Sequence, residues 1–436
     1  MATGQIHVVG AGLAGLSAAT MIAATGRRVL LYEAGPQAGG RCRSYFDTEL
    51  GCRLDNGNHL LLAGNHAAIA YLRRLGALDT LEAPRAAEFP FIDVTSGERW
   101  TIRPNRGRVP WWIARRTRRV PCTGAADYLK AAALLHAGAA ATVASVFDPA
   151  TRLFGALWEP LAVAALNTGA EQGSARLFRR VLVETLAKGA AACLPLVPRD
   201  GLSESFVEPA LAFLRAHAAE IRFGARLRRL RFENRRVAGL SFDEGAVAVG
   251  PSDALVLAVP AAVAARLVPG LVVPEASSPI VNAHFRCTPP AGSPLFIGII
   301  GGKAQWVFRK RGVLSVTVSA ADALVDLPAN ELRELLWRDV GVAYGLARAP
   351  VPPARIVKER RATFLASPDQ LGRRPKTATC WANLVLAGDF TDTGLPATIE
   401  GAVRSGAAAA RHVLGRRAGR LQFRGADLGA AQRVAS

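Results

Sequence analysis

Lysine is scarce in this 436-residue chain: only six of its 54 basic residues are lysine, and the rest are arginine. Acidic residues are few as well, 34 in all, which leaves a formal charge of +20. Such an excess suits a polyanionic partner. Yet no RNA- or DNA-binding motif accompanies it, and arginine and alanine run high from end to end, as GC-biased coding produces. Nucleic acid is therefore set aside as a partner, and an anionic membrane surface is kept. The six cysteines (Cys42, Cys52, Cys122, Cys193, Cys287 and Cys380) form no CxxC pair and no metal-ligand spacing, which points to free thiols in a reducing compartment and to no metal. No signal peptide is expected, since "IHVVG" already reads as an apolar strand by residue 6. No apolar run reaches the ~20 residues of a membrane span. The nearest, "AAALLHAGAAATVASVF" (131–147), is alanine-rich, contains His136 and reads as a buried or interfacial helix. These absences leave a cytoplasmic globular chain, peripheral on the inner face of the membrane at most. It is half hydrophobic and long enough for two domains around a large core.

What is present begins with "QIHVVGAGLAGLSAATMIAATGRRVLLYEA", a strand, a glycine turn, an alanine-rich helix and a second strand. Gly10, Gly12 and Gly15 stand at GxGxxG spacing: the first for the turn, the second for close approach of a pyrophosphate, the third for helix–strand packing. Leu13 and Ala14 open the helix, whose N-terminal N–H groups and dipole suit phosphate. Glu33 ends the second strand, followed by Ala34, where a carboxylate can accept from both ribose hydroxyls. Alone the glycines are a weak signal. With strand, helix and acid in order they predict dinucleotide binding, the alternative being a glycine-rich turn of another α/β fold.

"EAGPQAGGRCRS" follows at once, and Gly39-Gly40-Arg41 resembles the GGR signature of the large flavoprotein family that contains amine oxidases, protoporphyrinogen oxidases and phytoene-type desaturases. The resemblance implies FAD, with the glycines passing close to the dinucleotide and the arginine beside diphosphate and flavin. It also implies that the residue at Leu227, in "EIRFGARLRRLRFENRRVAGLSF", meets the adenine through its backbone, although an ordinary hairpin explains that stretch equally well. In "NLVLAGDFTDTGLPATIEGAVRSG" the family binds the ribityl chain through an Asp after a strand, here Gly388-Asp389. The helix entered at Ala397, Thr398 and Ile399 would then aim its N-terminus at the flavin, with Glu400 complementing that helix's own dipole. The implied fold is α/β: a Rossmann-type FAD-binding domain with a discontinuous α+β substrate domain, amine-oxidase/phytoene-desaturase-like. The FAD-binding segments are expected at 1–75, 199–270 and 376–416, the substrate segments at 76–198 and 271–375, and a mobile tail at 417–436. Trp111, Trp112, Trp158, Trp306 and Trp337 suit a long apolar cavity in the substrate domain, and "VPWWIARRTRR" (109–119) suits either a lipid surface or a solvated loop.

Three phrases narrow the resemblance: "GGRCRSYFDTELGCRLDNGNHLLLAGN", "GLSESFVEPALAFL" and "GDFTDTGLPATIEGAVRSG" are similar to the hydroxysqualene dehydroxylases, over roughly residues 5–415. That family reduces hydroxysqualene to squalene in hopanoid and squalene pathways, using FAD reduced by an external donor that nothing in the sequence names. The wider group returns to the flavin in a D-x-G step, here Asp55-Asn56-Gly57, which places Asn56 and Gly57 at the cofactor. An acid is needed to release the hydroxyl. His59, or Asp55 kept protonated by burial, is expected to supply it; otherwise Asp55 fixes a loop through backbone N–H groups and His59 lies behind the site. Competing functions are a carotenoid or dehydrosqualene desaturase running oxidatively, an amine or porphyrinogen oxidase, and a lipid-binding scaffold. The oxidase reading is weakened because Trp381 stands where an aromatic cage would be without a clear partner.

Overall fold

The computed structural model describes residues 4–415. Five strands from three distant stretches of chain form one parallel sheet, in the order Glu220–Arg222, Val29–Tyr32, Ile6–Val9, Ala254–Leu257, Leu384–Leu386. Strands such as "IHVV", "VLLY" and "LVL" are buried along their whole length because both faces of the sheet are covered, one by helices and the other by the antiparallel strands within residues 227–248. His7 is accommodated there by the Tyr32 hydroxyl, 3.1 Å from Nδ1, and by Asp253, 3.8 Å from Nε2. The helices Leu13–Ala23 and Ile399–Val413 lie side by side. Glycine permits this: a Cβ on Gly406 would come within 2.1 Å of the Ala14 carbonyl oxygen, and Ser17 Oγ donates to Val403 O at 2.9 Å. Two helix N-termini are thereby held at one end of the sheet.

A second, seven-stranded sheet runs Ala354–Phe364, Ser277–Arg286, Val313–Ser319, Trp306–Lys310, Phe296–Ile300, Phe89–Asp93, Arg99–Ile102. Its two central strands alternate strictly. Val281, Ala283, Phe285, Leu314, Val316 and Val318 pack under the helix Ala329–Tyr344. On the other face Asn282 pairs with Thr317 and His284 with Ser315, so polar side chains look toward the first sheet's glycine-rich loops. Period-2 alternation thus makes one face core and the other site wall.

Some local expectations need correction. The 131–147 run is not one helix: Lys130–His136 is a 3-10 helix, the chain breaks near Gly138, and Val143–Val146 starts anew on the reciprocal Thr142–Ser145 capping box. Of the tryptophans expected to line a cavity, Trp111 is exposed and the other four pack in core. Trp337 lies with Phe285 at 5.1 Å beneath the Ala329–Tyr344 helix, while Trp306 meets Phe91 at 5.4 Å, Trp158 meets Phe147 at 5.2 Å and Trp112 meets Tyr128 at 5.3 Å. Leu227–Glu233 and Arg236–Phe242 form the expected hairpin, turned by Asn234 and Arg235 at φ 46° and 58°, and a third strand, Gly245–Ala248, joins it. Trp381 stacks on Phe232 of that hairpin at 4.1 Å, which accounts for it without an aromatic cage. The tail expected at 417–436 lies outside the described residues.

Candidate functional site

The glycines of the first turn separate into two kinds. Gly10 has φ +103°, and a Cβ there would sit 2.3 Å from Ala258 O; a Cβ on Gly15 would sit 1.8 Å from Gly10 O. Both are required by the protein's own backbone. Gly12 is different, because a Cβ there meets nothing within 4 Å and would project into open space over the turn. The Leu13–Ala23 helix that follows has no side-chain cap and no acid in its first turn. Its leading N–H groups at Leu13, Ala14 and Gly15 are the usual unpaired donors of a helix start, a ready anion seat. Glu33 closes the seat: its carboxylate accepts from Ala11 N and from Gly35 N, each at 2.8 Å. One oxygen lone pair on each side is left for hydroxyl donors. Gly224 N donates to Gly35 O at 3.0 Å, which brings the chain leading to buried Leu227 alongside Ala34. Gly39 N donates to Ala11 O at 2.8 Å, and the nearest atom to a Cβ on Gly40 would be Gly12 Cα at 3.5 Å. The two glycine turns pack against each other, and the open space over Gly12 beside them leaves room for a thin, polar, anionic group. The residues fit a dinucleotide.

Arg41 then reaches across the molecule. Its Nη2 lies 2.7 Å from Asp389 Oδ2 and its Nη1 donates to Ala362 O, so residues 348 positions apart meet in one ion pair. Behind Asp389, Gly388 N donates to Ser405 Oγ at 2.9 Å, and Thr391 Oγ1 is 2.7 Å from the same oxygen. Thr398 caps the Ile399–Val413 helix by accepting from Gly401 N at 3.0 Å, with Ala397 just ahead of it. Glu400 stands in the first turn of that helix and serves a second helix as well. Its buried carboxylate accepts from Ala67 N and Ala68 N at 3.0 and 2.8 Å, capping the His66–Leu75 helix, whose own N-cap residue Asn65 gives no cap bond. Arg404 joins Glu400 to Glu184 on the same side. The sequence shows only neighbours along the chain, so it reveals the first of these roles and not the second.

Between the sheets lies Asp55 to His59. Asp55 is 2% exposed. Its Oδ1 accepts from Ser44 Oγ at 2.6 Å and Leu202 N at 2.9 Å, and Oδ2 is ion-paired with Lys310 Nζ. Burial alone would raise the carboxyl's pKa. Lys310 and these donors outweigh it and hold Asp55 below the usual carboxylate range. The expectation of a protonated Asp55 is thus corrected: it is an ionised anchor. Asn282 Nδ2 donates to Asn56 O at 3.3 Å and would lie 3.3 Å from a Cβ on Gly57; Asn58 Nδ2 donates to Thr317 Oγ1 at 3.0 Å, and that hydroxyl donates to Asn282 Oδ1 at 2.7 Å. The polar stripe of the second sheet therefore grips the loop. His59 stands beyond it, its pKa lowered to about 4 by burial first, with Lys310 and Arg41 adding to the effect and Asp55 opposing it. At neutral pH the ring is uncharged, so an imidazolium acid is not what the loop presents. Leu61 packs among Tyr71 and Leu72 on one side, while Leu60 and Leu62 turn to the main core on the other.

Sequence reading passed over Lys310, Asn282, His284, Ser315, Thr317 and Arg374. The alternation in "IVNAHF" and "VLSVTVS" was the available signal for the stripe. Lys310 and Arg374 carried none, since each takes its meaning from partners far away in the chain. His284, 1% exposed, has Nδ1 2.5 Å from Ser315 Oγ and a pKa lowered to about 4 by burial, then by Lys310.

Residues 13–414 match the flavin containing amine oxidoreductase family. A hydroxysqualene dehydroxylase of Rhodopseudomonas palustris is 48% identical over 410 residues, 94% of this chain and 98% of that protein. One from Sinorhizobium fredii is 46% identical over 93% of this chain and 97% of that protein. Among solved structures, an oxidoreductase from Methanosarcina mazei superposes with a TM-score of 0.68 at 16% identity, covering 93% of this chain and 99% of that one. A putrescine oxidase superposes at 0.67 and 18%, covering 95% and 99%. These two likenesses share the fold.

Proposed function

We infer the function from one premise: the chain belongs to the flavin-containing amine oxidoreductases and, among them, to the hydroxysqualene dehydroxylases. It is an FAD-dependent oxidoreductase that reduces hydroxysqualene to squalene. The observation that carries this reading is end-to-end likeness to proteins of that name, joined to adjoining glycine turns that fit a dinucleotide. Reduced FAD supplies the hydride that replaces the allylic hydroxyl, and the electrons come from an external donor. The cofactor-binding domain is taken as residues 1–75, 199–270 and 376–416, and the substrate domain as 76–198 and 271–375. Gly12, Leu13, Ala14 and Gly15 would hold the diphosphate, Glu33 and Leu227 the adenosine end, and Arg41, Asn56, Gly57, Asp389 and the Thr398–Ile399 helix start the flavin end.

The protein's own chemical task is to hold the hydroxyl and let it leave as water. We assign this to His59. A neutral imidazole donates from one ring nitrogen to the departing oxygen while the other nitrogen takes up a replacement proton. Asp55 positions the segment through Lys310, Ser44 and Leu202. His59→Ala is expected to slow reoxidation of the anaerobically reduced enzyme by hydroxysqualene about 10²–10⁴-fold with FAD content unchanged. Squalene by mass spectrometry reports the product. Full turnover by the variant would move the proton role to another group, and a yellow wild type that ignores hydroxysqualene would favour an oxidative desaturase.

We further propose peripheral contact with an anionic membrane. Among the described residues no helix is long and apolar enough to cross a bilayer. Val109 and Trp111 are 72% and 46% exposed, Leu129 and Leu135 62% and 59%. The Trp112–Tyr128 contact brings these stretches together. Arg115 and Arg118 stand over the Trp111 ring at 5.3 and 5.4 Å, so that apolar point is flanked by cations. Trp111→Ser with Leu135→Ser is expected to lower cosedimentation with phosphatidylglycerol-containing vesicles about tenfold or more, given apolar burial worth ~25 cal/mol per Å². Equal binding by the double variant would remove this surface from consideration.

A further inference from the structure

Arg374 is an arginine buried to 7% exposure with no carboxylate among its hydrogen-bond acceptors in the described residues. Nε donates to Phe390 O at 3.4 Å and Nη1 to Leu395 O at 2.8 Å. Nη2 faces Asp389 O at 3.1 Å, Thr391 O, and Thr393 Oγ1 at 3.4 Å. The guanidinium also lies over the Phe364 ring at 4.8 Å. Every acceptor belongs to residues 389–395, the loop between the Leu384–Leu386 strand and the cap of the Ile399–Val413 helix. Among the described residues this cation hydrogen-bonds only to carbonyls and a hydroxyl, with Asp392 and Asp389 acting on it through space, which is an expensive way to stabilise a loop. The arrangement makes sense if the loop's orientation matters. A trans peptide points its N–H opposite its C=O, so the Asp389 carbonyl turned to Arg374 directs the Phe390 N–H away from it, while the Asp389 carboxylate faces Arg41.

We propose that Arg374 is a positioning residue of the cofactor site, which turns the carbonyls of residues 389–395 away from the flavin and places a fixed positive charge behind them. This rests on the FAD assignment above. Planar five-donor geometry is what the loop uses, and lysine lacks it. The charge is a separate contribution: in a low-dielectric interior it favours the more negative, reduced state of a nearby ring.

Two variants separate these effects, each read by FAD titration into apoprotein and by midpoint potential against a reference dye. Arg374→Lys keeps the charge and loses the fork. It is expected to weaken FAD binding about tenfold or more, the equivalent of one lost charged hydrogen bond, with the potential unmoved. Arg374→Gln is expected to weaken binding likewise and to move the potential to a more negative value. FAD affinity unchanged in Arg374→Lys overturns the positioning role, and an unshifted potential in Arg374→Gln overturns the charge role. Should Arg374→Gln not fold, the lysine variant still decides positioning, and the potential is then read in Arg374→Met rescued by added guanidinium. Wild-type apoprotein that takes up no FAD would overturn the cofactor assignment itself, an outcome distinct from a variant behaving like wild type.

Discussion

Gly12→Val is expected to yield a folded protein that does not retain FAD. The backbone at Gly12 is extended (φ −73°, ψ 176°), a conformation valine adopts readily, and a Cβ there touches no protein atom within 4 Å. Its branches would stand in the open space over the turn, by the first N–H groups of the Leu13–Ala23 helix. Losing two charge-assisted hydrogen bonds to a diphosphate costs about 3–6 kcal/mol, or ~10²–10⁴-fold in affinity. Thermal stability of the apoprotein should match wild-type apoprotein within ~0.5 kcal/mol. Gly15→Val is the control, since its Cβ would collide with Gly10 O at 1.8 Å and the turn itself would give way. If Gly12→Val bound FAD as wild type does, the diphosphate would lie elsewhere. If both variants failed to fold, Gly12 would be required by the backbone as Gly15 is.

Lys310→Met should have the largest effect on stability. Asp55 would keep its Ser44 and Leu202 donors but lose the only cation paired with it among the described residues. Removing one partner of a buried pair typically costs about 3–5 kcal/mol. Asp55→Asn combined with Lys310→Met should recover part of that loss, because no buried charge is then left alone. The pH dependence follows from the sign of the shift. In the wild type the folded-state carboxyl lies below its ordinary value, so its contribution is present above the unfolded pKa of about 4 and is lost as pH falls through the folded value. In Lys310→Met, desolvation would push the carboxyl up. Stability would then be greater below about pH 4 and decline as pH rises through the new folded value. Denaturant unfolding at pH 4 to 7 measures both. A variant as stable as wild type at every pH would mean that the pair is solvent-screened, with Lys310 facing the cleft of about 330 Å³ that it shares with Arg53, Arg199 and Glu204.

The sequence by itself determined the first glycine turn. Glycine spacing, the strand before it and Glu33 after it act over one turn of chain, and backbone sterics at Gly10 and Gly15 leave no other arrangement. The GGR step and Gly388-Asp389 were legible for the same reason, each being a local conformation. What a charged side chain does depends instead on which element packs against it. Only the tertiary structure could pair Arg41 with Asp389 and Asp55 with Lys310 across 348 and 255 residues, or give Glu400 to a helix 333 residues earlier. Burial also decided the protonation of the candidate acids, since desolvation made His59 neutral while a neighbouring cation kept Asp55 ionised. Local sterics are written along the chain, whereas electrostatic partners are assigned by the packing of sheet on sheet.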